Sequence, residues 1–480
     1  MSCRKGEVAA DLAVPTVPTP DPFLIATSLD TIKPDAKSRK FIRRYVTKGK
    51  KINRPKRQKR AVNSWFDAGE LTPEGPPAVL CRGLATNILD PKMLQVLHDF
   101  VPIMVKVMYP VEQCVDLATE NQHWHEDLAQ DIAYAQSVSN IASVYFDIIN
   151  SRNQEFQKLI HTGTSLGPLR AQLAAGTDVA VTDSTIFTVV ALALRSEDLD
   201  ATSTHMHGLQ QMIRLRGGIS ALSTKRSLQI KCCRIDLALA MRTGAKPLLF
   251  TPPELTWKPY LADPATSPTA YPWHDLLDSP DIRLVYIYLD LGEFGRSLNL
   301  AHQTKRKIPP SLFQEVLISV QYRLHHLSYP SHDVQETLRL AMLAFSASLF
   351  LSAPHSPHTR PVLDCSKGLA AGFAESLLLL HVFERKTHDG RDPCLELDLC
   401  LAFLGRVMVS GLDLAEQQQQ RSRLLDGKII STARALGLTA WTEMRRVLKG
   451  FLWVDVIHDE PGRRLFDTAS AGKLEEHCEA

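Results

Sequence analysis

The sequence predicts an all-α protein, a large multi-helix domain preceded by a disordered basic N-terminal arm. Three observations predict it. Apolar residues recur at three-and-four spacing from near Leu84 almost to the C-terminus, the period of helices with one buried face. Strand-like runs are few, and the best of them, Ile186 to Leu194, fits a buried helix equally well. Between Lys37 and Arg60 there are thirteen Lys or Arg and no Asp or Glu, a composition that cannot bury a core.

The order of elements follows from local signals. Residues 1–36 carry Pro15, Pro18, Pro20, Pro22 and Pro34 with little periodicity and read as a disordered lead. Residues 37–66 are the basic arm, ending at Trp65-Phe66, and 67–83 form a turn-rich linker with Pro73, Gly75, Pro76 and Pro77. One helical body is expected over 84–460, with a flexible tail at 461–480. Asp90-Pro91 is a cap followed by proline at the first helical position. Met93, Leu94, Leu97, Phe100 and Val101 then mark a buried face, and Leu128 to Ile149 repeat it. Further helices are expected near 154–174, 179–196, 201–216, 226–243, 281–300, 312–327, 333–352, 361–385, 394–409, 417–436 and 439–456. Loops are expected at the proline-rich breaks around 247–280 and 353–361.

Composition excludes several classes. The 480 residues are 44% hydrophobic, ordinary for a globular chain. The longest mostly apolar stretch, Leu340 to Ala353, contains three serines and is too short to span a bilayer, so no membrane partner is expected. Met1 to Asp21 lack the apolar centre of a secretory signal. Nine scattered cysteines, no two separated by two residues, read as core thiols of a reduced compartment, with no paired-cysteine zinc site.

Catalytic motifs are weak. Gly163-Thr164-Ser165-Leu166-Gly167 matches a hydrolase nucleophile elbow, but helix-like sequence precedes it and Pro168 follows, so an interhelical loop is the better reading. His123-Trp124-His125-Glu126 lacks the second histidine four residues on, and His205 and His207 lie on different sides of a helix. There is no glycine-rich phosphate loop. The reading is therefore not an enzyme, with no cofactor and no metal ligand.

The arm carries more information. The net charge is +3, from 55 Lys and Arg against 52 Asp and Glu. Without the arm's thirteen cations the remaining 42 face 52 acids, a balance of −10. Arg43 and Arg44 precede Lys48, Lys50, Lys51 and Arg54, and the compact cluster Lys56, Arg57, Lys59 and Arg60 closes the run. Such clusters read as a nuclear import signal, as a nucleic-acid contact or as a solvated tail, and the first is preferred.

One stretch of the body has a specific pattern. His205, Leu209, Met212 and Arg216 share a helical face that ends at Gly217-Gly218, with Gly217 suited to the left-handed position after a helix. The next helix carries Arg234-Ile235-Asp236-Leu237 and ends near Gly244. On their own these residues also suit a packed helical hairpin. Together, the His-Gly-Leu helix with Gly208 and Leu209, its Arg-Gly-Gly ending and the Arg-x-Asp-Leu core resemble the regulatory domain of fungal-specific transcription factors. The Pro247 to Phe250 segment resembles the loop that follows in that family. The chain departs from the family's pattern in having only Cys3 before the linker, so a six-cysteine zinc cluster cannot form from these residues.

The resemblance implies a nuclear, regulatory-type helical body without that DNA reader. Implied partners are a nuclear import receptor, DNA or transcription-machinery proteins, a small apolar effector, and a second subunit in a homo- or heterodimer. Two other classes stay open: a helical enzyme of unrecognised chemistry, and a scaffold binding nucleic acid or protein.

Overall fold

A computed structural model of the chain describes residues 91–109, 111–117, 181–195, 199–263, 271–350 without 275 and 278, 393–408 and 416–476, with six isolated helical residues between 135 and 146. The chain divides into Met1–Pro73 and Glu74–Ala480, and all described residues belong to the second unit. The basic arm, the Gly163–Gly167 motif, His123 to Glu126 and the helices expected at 154–174 and 361–385 lie outside the described residues. Of the described residues 73% are helical with essentially no strands, which establishes the all-α class. A lone parallel bridge joins Val115 to Ile308.

The elements are α1 (Pro91–Met108), α2 (Asp183–Arg195), α3 (Leu199–Leu215), a 3-10 turn (Ile219–Leu222), α4 (Arg226–Thr243), a 3-10 turn (Pro252–Glu254), α5 (Ile282–Thr304), α6 (Pro310–His326), α7 (Val334–Phe350), α8 (Pro393–Met408), α9 (Glu416–Ala435), α10 (Trp441–Leu448) and α11 (Asp455–Glu476). Pro91 opens α1 and Pro310 opens α6, where a missing amide hydrogen costs nothing. Asp281 caps α5 by accepting from the Arg283 amide at 2.9 Å. Two helices end in the same glycine device. After α3 the Gly217 amide donates to Arg214 O and the Gly218 amide to Ile213 O, with Gly217 at φ +102°. After α9 the Gly437 amide donates to Arg434 O and the Leu438 amide to Ala433 O, with Gly437 at φ +66°.

Packing follows chain order. The hairpin α2–α3 packs on α4, which meets α6; α6 also meets α5 and α7; α7 meets α8; and α8 carries α9, α10 and α11. Burial decides which helices are interior. In α5 the buried Leu284, Ile287, Leu291, Phe294 and Leu298 recur every three or four residues, a one-sided face. In α7 every residue from Ala341 to Leu349 is buried, and in α8 every residue from Leu397 to Gly405, so both are enclosed on all sides. Each Leu or Phe buried there contributes roughly 1.5–3 kcal/mol. The polar residues they carry into the core are satisfied locally. Ser346 Oγ donates to Leu343 O, Ser348 Oγ donates to Phe345 O, and Lys428 Nζ lies 2.8 Å from Asp398. Among the described residues, no helix is long and apolar enough to cross a membrane. Cys114, Cys232, Cys233 and Cys400 are free and buried, as expected of core thiols.

The C-terminal region differs from expectation. A single helix over 439–456 is replaced by α10 and α11, separated by Lys449 to Val454. Phe451, Leu452, Trp453 and Val454 are all buried in succession, which a helix with one exposed side cannot achieve. Helix α11 then continues to Glu476, across the boundary at 460 where the sequence placed the start of a tail. Its Gly462 is wedged between two indoles. A Cβ there would lie 2.9 Å from Trp453 Cη2 and 3.0 Å from Trp441 Cη2. We expect Gly462→Val to destabilise the fold by about 1–3 kcal/mol through overpacking, read as a lower denaturant midpoint with an unchanged slope.

Candidate functional site

The segment singled out in the sequence runs from α3 through α4 into the loop that follows; the structure gathers part of it around Asp236 and directs Arg216 and Arg234 to other helices. Leu209 is fully buried, whereas His205 is half-buried and burial pulls its pKa below the ordinary value. His207 is exposed and its ring Nδ1 donates to Ser203 O at 2.8 Å, so the two histidines do not converge. Gly208 is exposed, and a Cβ there would meet nothing within 4 Å. Arg216 reaches back to α2: its Nη1 donates to Val181 O at 2.9 Å and pairs with Asp183. Arg234 Nη1 donates to Gln314 Oε1 on α6 at 3.3 Å.

Asp236 is the centre of the assembly. It is 1% exposed, and its carboxylate accepts from the Leu248 amide at 2.9 and 3.0 Å, the Leu249 amide at 2.9 Å and the Tyr322 hydroxyl at 2.7 Å. Burial raises the Asp236 pKa, against the lowering pull of those amides and the hydroxyl. Gln210 Nε2 donates to Leu248 O at 2.7 Å, so α3 and α4 grip the same residue from both sides of its peptide chain. His326 Nε2 donates to Phe250 O at 3.0 Å, and the Phe250 ring meets Tyr322 edge-on at 4.8 Å.

A second carboxylate repeats the arrangement one helix away. Asp290 on α5 is fully buried and accepts from the amides of Tyr260, Leu261 and Ala262, at 2.7–3.1 Å. Arg323 Nη2 donates to it at 2.7 Å, and Arg323 is itself 1% exposed. The strap from Ala245 to Asp263 is thereby pinned twice, to Asp236 on α4 and to Asp290 on α5. Adjacent residues of α6, Tyr322 and Arg323, complete the two pins. Asp290, Tyr322, Arg323 and Gln210 were not singled out from sequence. Their partners lie tens of residues away, and a helical Asp or Arg resembles any surface charge until its neighbours are known.

What the two carboxylates do in this arrangement is bind backbone. Both carboxylates have main-chain amides and a side-chain donor on them, which leaves neither as an open base. Among the described residues, no group of three or more His, Cys, Asp or Glu could hold a metal ion. A buried serine–histidine pair does exist between α7 and α11, where Ser348 Oγ lies 3.1 Å from His458 Nε2. The Val454 amide donates to His458 Nδ1 at 2.9 Å, so the ring proton sits on Nε2 and points at the serine. Ser348 donates onward to Phe345 O. A ring whose basic nitrogen is occupied by an amide cannot take the serine proton, so this geometry is not that of an activated nucleophile.

Two substitutions separate the roles. Asp236→Asn keeps the shape but turns one acceptor into a donor facing backbone N–H groups. It should cost about 2–4 kcal/mol, measured by chemical denaturation. Gly208→Ala should raise stability by about 0.5–1 kcal/mol, because the site is helical, exposed and open.

In comparisons with known proteins, no family model, no curated protein and no solved structure matches the chain.

Proposed function

We propose that the chain is a transcription-regulator-like nuclear protein, with the basic arm as its nuclear address and the helical body as an effector- or partner-binding module. The observation that carries this reading is the charge segregation in the sequence: thirteen cations without an acid in 37–60, against a balance of −10 elsewhere. Clustered cations of that kind fit acidic receptor grooves or neutralise phosphates. The resemblance of the His205–Phe250 stretch to the fungal regulatory domain supports the same reading. Its motif residues include Asp236 and the Gly217-Gly218 ending, which hold the α3–α4 hairpin and the strap together.

A nucleic-acid scaffold is the second reading, and the same acid-free arm favours it. If six phosphates were contacted, affinity would fall with salt on a log–log slope of roughly −5. An import signal alone predicts no retention of nucleic acid in such a series.

The deciding experiment follows the full-length protein, fluorescently tagged, beside a variant with Lys48, Lys50, Lys51, Arg54, Lys56, Arg57, Lys59 and Arg60 all changed to Ala. The parent should concentrate in the nucleus and the variant should lose at least most of that enrichment. A parent that stays in the cytosol overturns the proposal.

A further inference from the structure

We propose that His458 is an acid-sensitive latch that holds the C-terminal helix α11 onto the body and releases it, ahead of global unfolding, when the ring is protonated.

The latch is built from named contacts. His458 is fully buried on the first turns of α11, and its ring lies 5.5 Å from the Phe345 ring and 5.1 Å from the Trp453 ring, centre to centre. One nitrogen closes the start of its own helix, by accepting from Val454 N–H. The other donates to Ser348 on the interior helix α7. Neutral imidazole is the form that can do both. Protonation places a second N–H against the Val454 amide, donor against donor, and strands a cation among aromatic rings.

The surrounding charges do not rescue that cation. The charge that bears on His458 is the neighbouring Asp459, which favours protonation. Its oxygens are already taken by Arg445 Nη2 and Trp453 Nε1, at 2.9 and 2.8 Å. From α10 and the residue that ends it, Arg445 and Lys449 face Asp455 as well. From α5, Asn299 offers an uncharged amide, bonded to Trp453 O and the Asp455 amide. From α7 the facing group is the Ser348 hydroxyl. Burial, the largest influence, holds the docked ring down at about 3, against its ordinary 6.5. A histidine held low binds fewer protons docked than released. Docking is therefore fully favoured above about 6.5 and weakens as pH falls from there toward 3. Between pH 7 and pH 5 the ratio of released to docked α11 should rise roughly twenty- to thirtyfold.

What release uncovers is apolar. Phe345 and Trp453 pack against His458 of α11, Trp441 packs against its Phe466 and Gly462, and α11 also contacts α5, α8, α9 and α10.

The test is hydrogen exchange of the full chain at pH 7.0 and 5.0, read by peptide mass spectrometry and corrected for the intrinsic pH dependence of exchange. Peptides within 455–468 should open roughly twenty- to thirtyfold more at pH 5.0, while those of α4 (226–243) change by much less. Peptides of α6 are a poor reference, because burial and then Arg339 and His326 also hold His325 down at about 3. His458→Asn, which retains an acceptor and does not titrate, should erase the pH effect. Equal changes in α11 and α4, no change in α11, or a pH effect that survives in His458→Asn would each overturn the latch. If that variant does not fold, the comparison within the parent protein still decides.

Discussion

The arrangement of this body depends on two carboxylates buried where water cannot reach them. Asp236 and Asp290 are each at most 1% exposed. An ionised carboxylate in such a place is tolerated only when several donors converge on it. Here the donors are successive backbone amides of a single strap, from Leu248-Leu249 and Tyr260-Leu261-Ala262, with Tyr322 or Arg323 completing each set. The constraint works in both directions. The strap's amides have no helix to satisfy them and the carboxylates have no solvent, so each supplies what the other lacks. Removing one partner leaves the other buried and unpaired, so the loss exceeds the net worth of the contact.

Helix α6 is what makes the two pins one device. Adjacent helical residues project about 100° apart, so Tyr322 and Arg323 reach toward different neighbours from one turn. Tyr322 meets Asp236 on α4 and Arg323 meets Asp290 on α5. Gln321, one residue earlier, donates to Ser346 on α7 at 3.4 Å. Three consecutive side chains thus specify the placing of α6 against three helices. The apolar contacts at the same interfaces, such as Phe313 with Phe294 at 5.6 Å, supply cohesion with less demand on register.

This explains what was legible in the sequence. Helix α4 is found at the expected 226–243, and α5 to α9 begin and end within a few residues of expectation, because periodicity and caps are local signals. The Gly217 terminus was legible for the same reason, since a left-handed residue after a helix needs a glycine almost anywhere. Asp236 stood out through its motif, but its task did not. The donors that define it lie 12, 13 and 86 residues away. Asp290 and Arg323 carried no signal, because nothing local distinguishes a buried pair from two solvated charges. The split at Lys449 to Val454 was missed because four apolar residues in succession extend a helical pattern as readily as they break one. The flexible tail expected from 461 is instead helix α11, in which two tryptophans close on the backbone of Gly462.

Charge follows a different logic in the two parts of the chain. In the body, cations are spent on specific acids: Arg323 on Asp290, Arg216 on Asp183, Arg339 on Glu336, Lys428 on Asp398 and Arg445 on Asp459. Pairs of this kind orient helices and leave little field beyond them. The arm has no acid of its own across 37–60, so its thirteen cations can be neutralised only by groups outside that stretch. At physiological ionic strength its field fades within about 8 Å. Groups that neutralise it must therefore come close, and on charge alone a dense polyanion or an acidic groove would match it better than scattered surface acids. The proposed address would meet that requirement with the cations of 48–60 alone. A base-reading role would need further groups aimed at base edges, since phosphate contacts position a protein without telling one sequence from another.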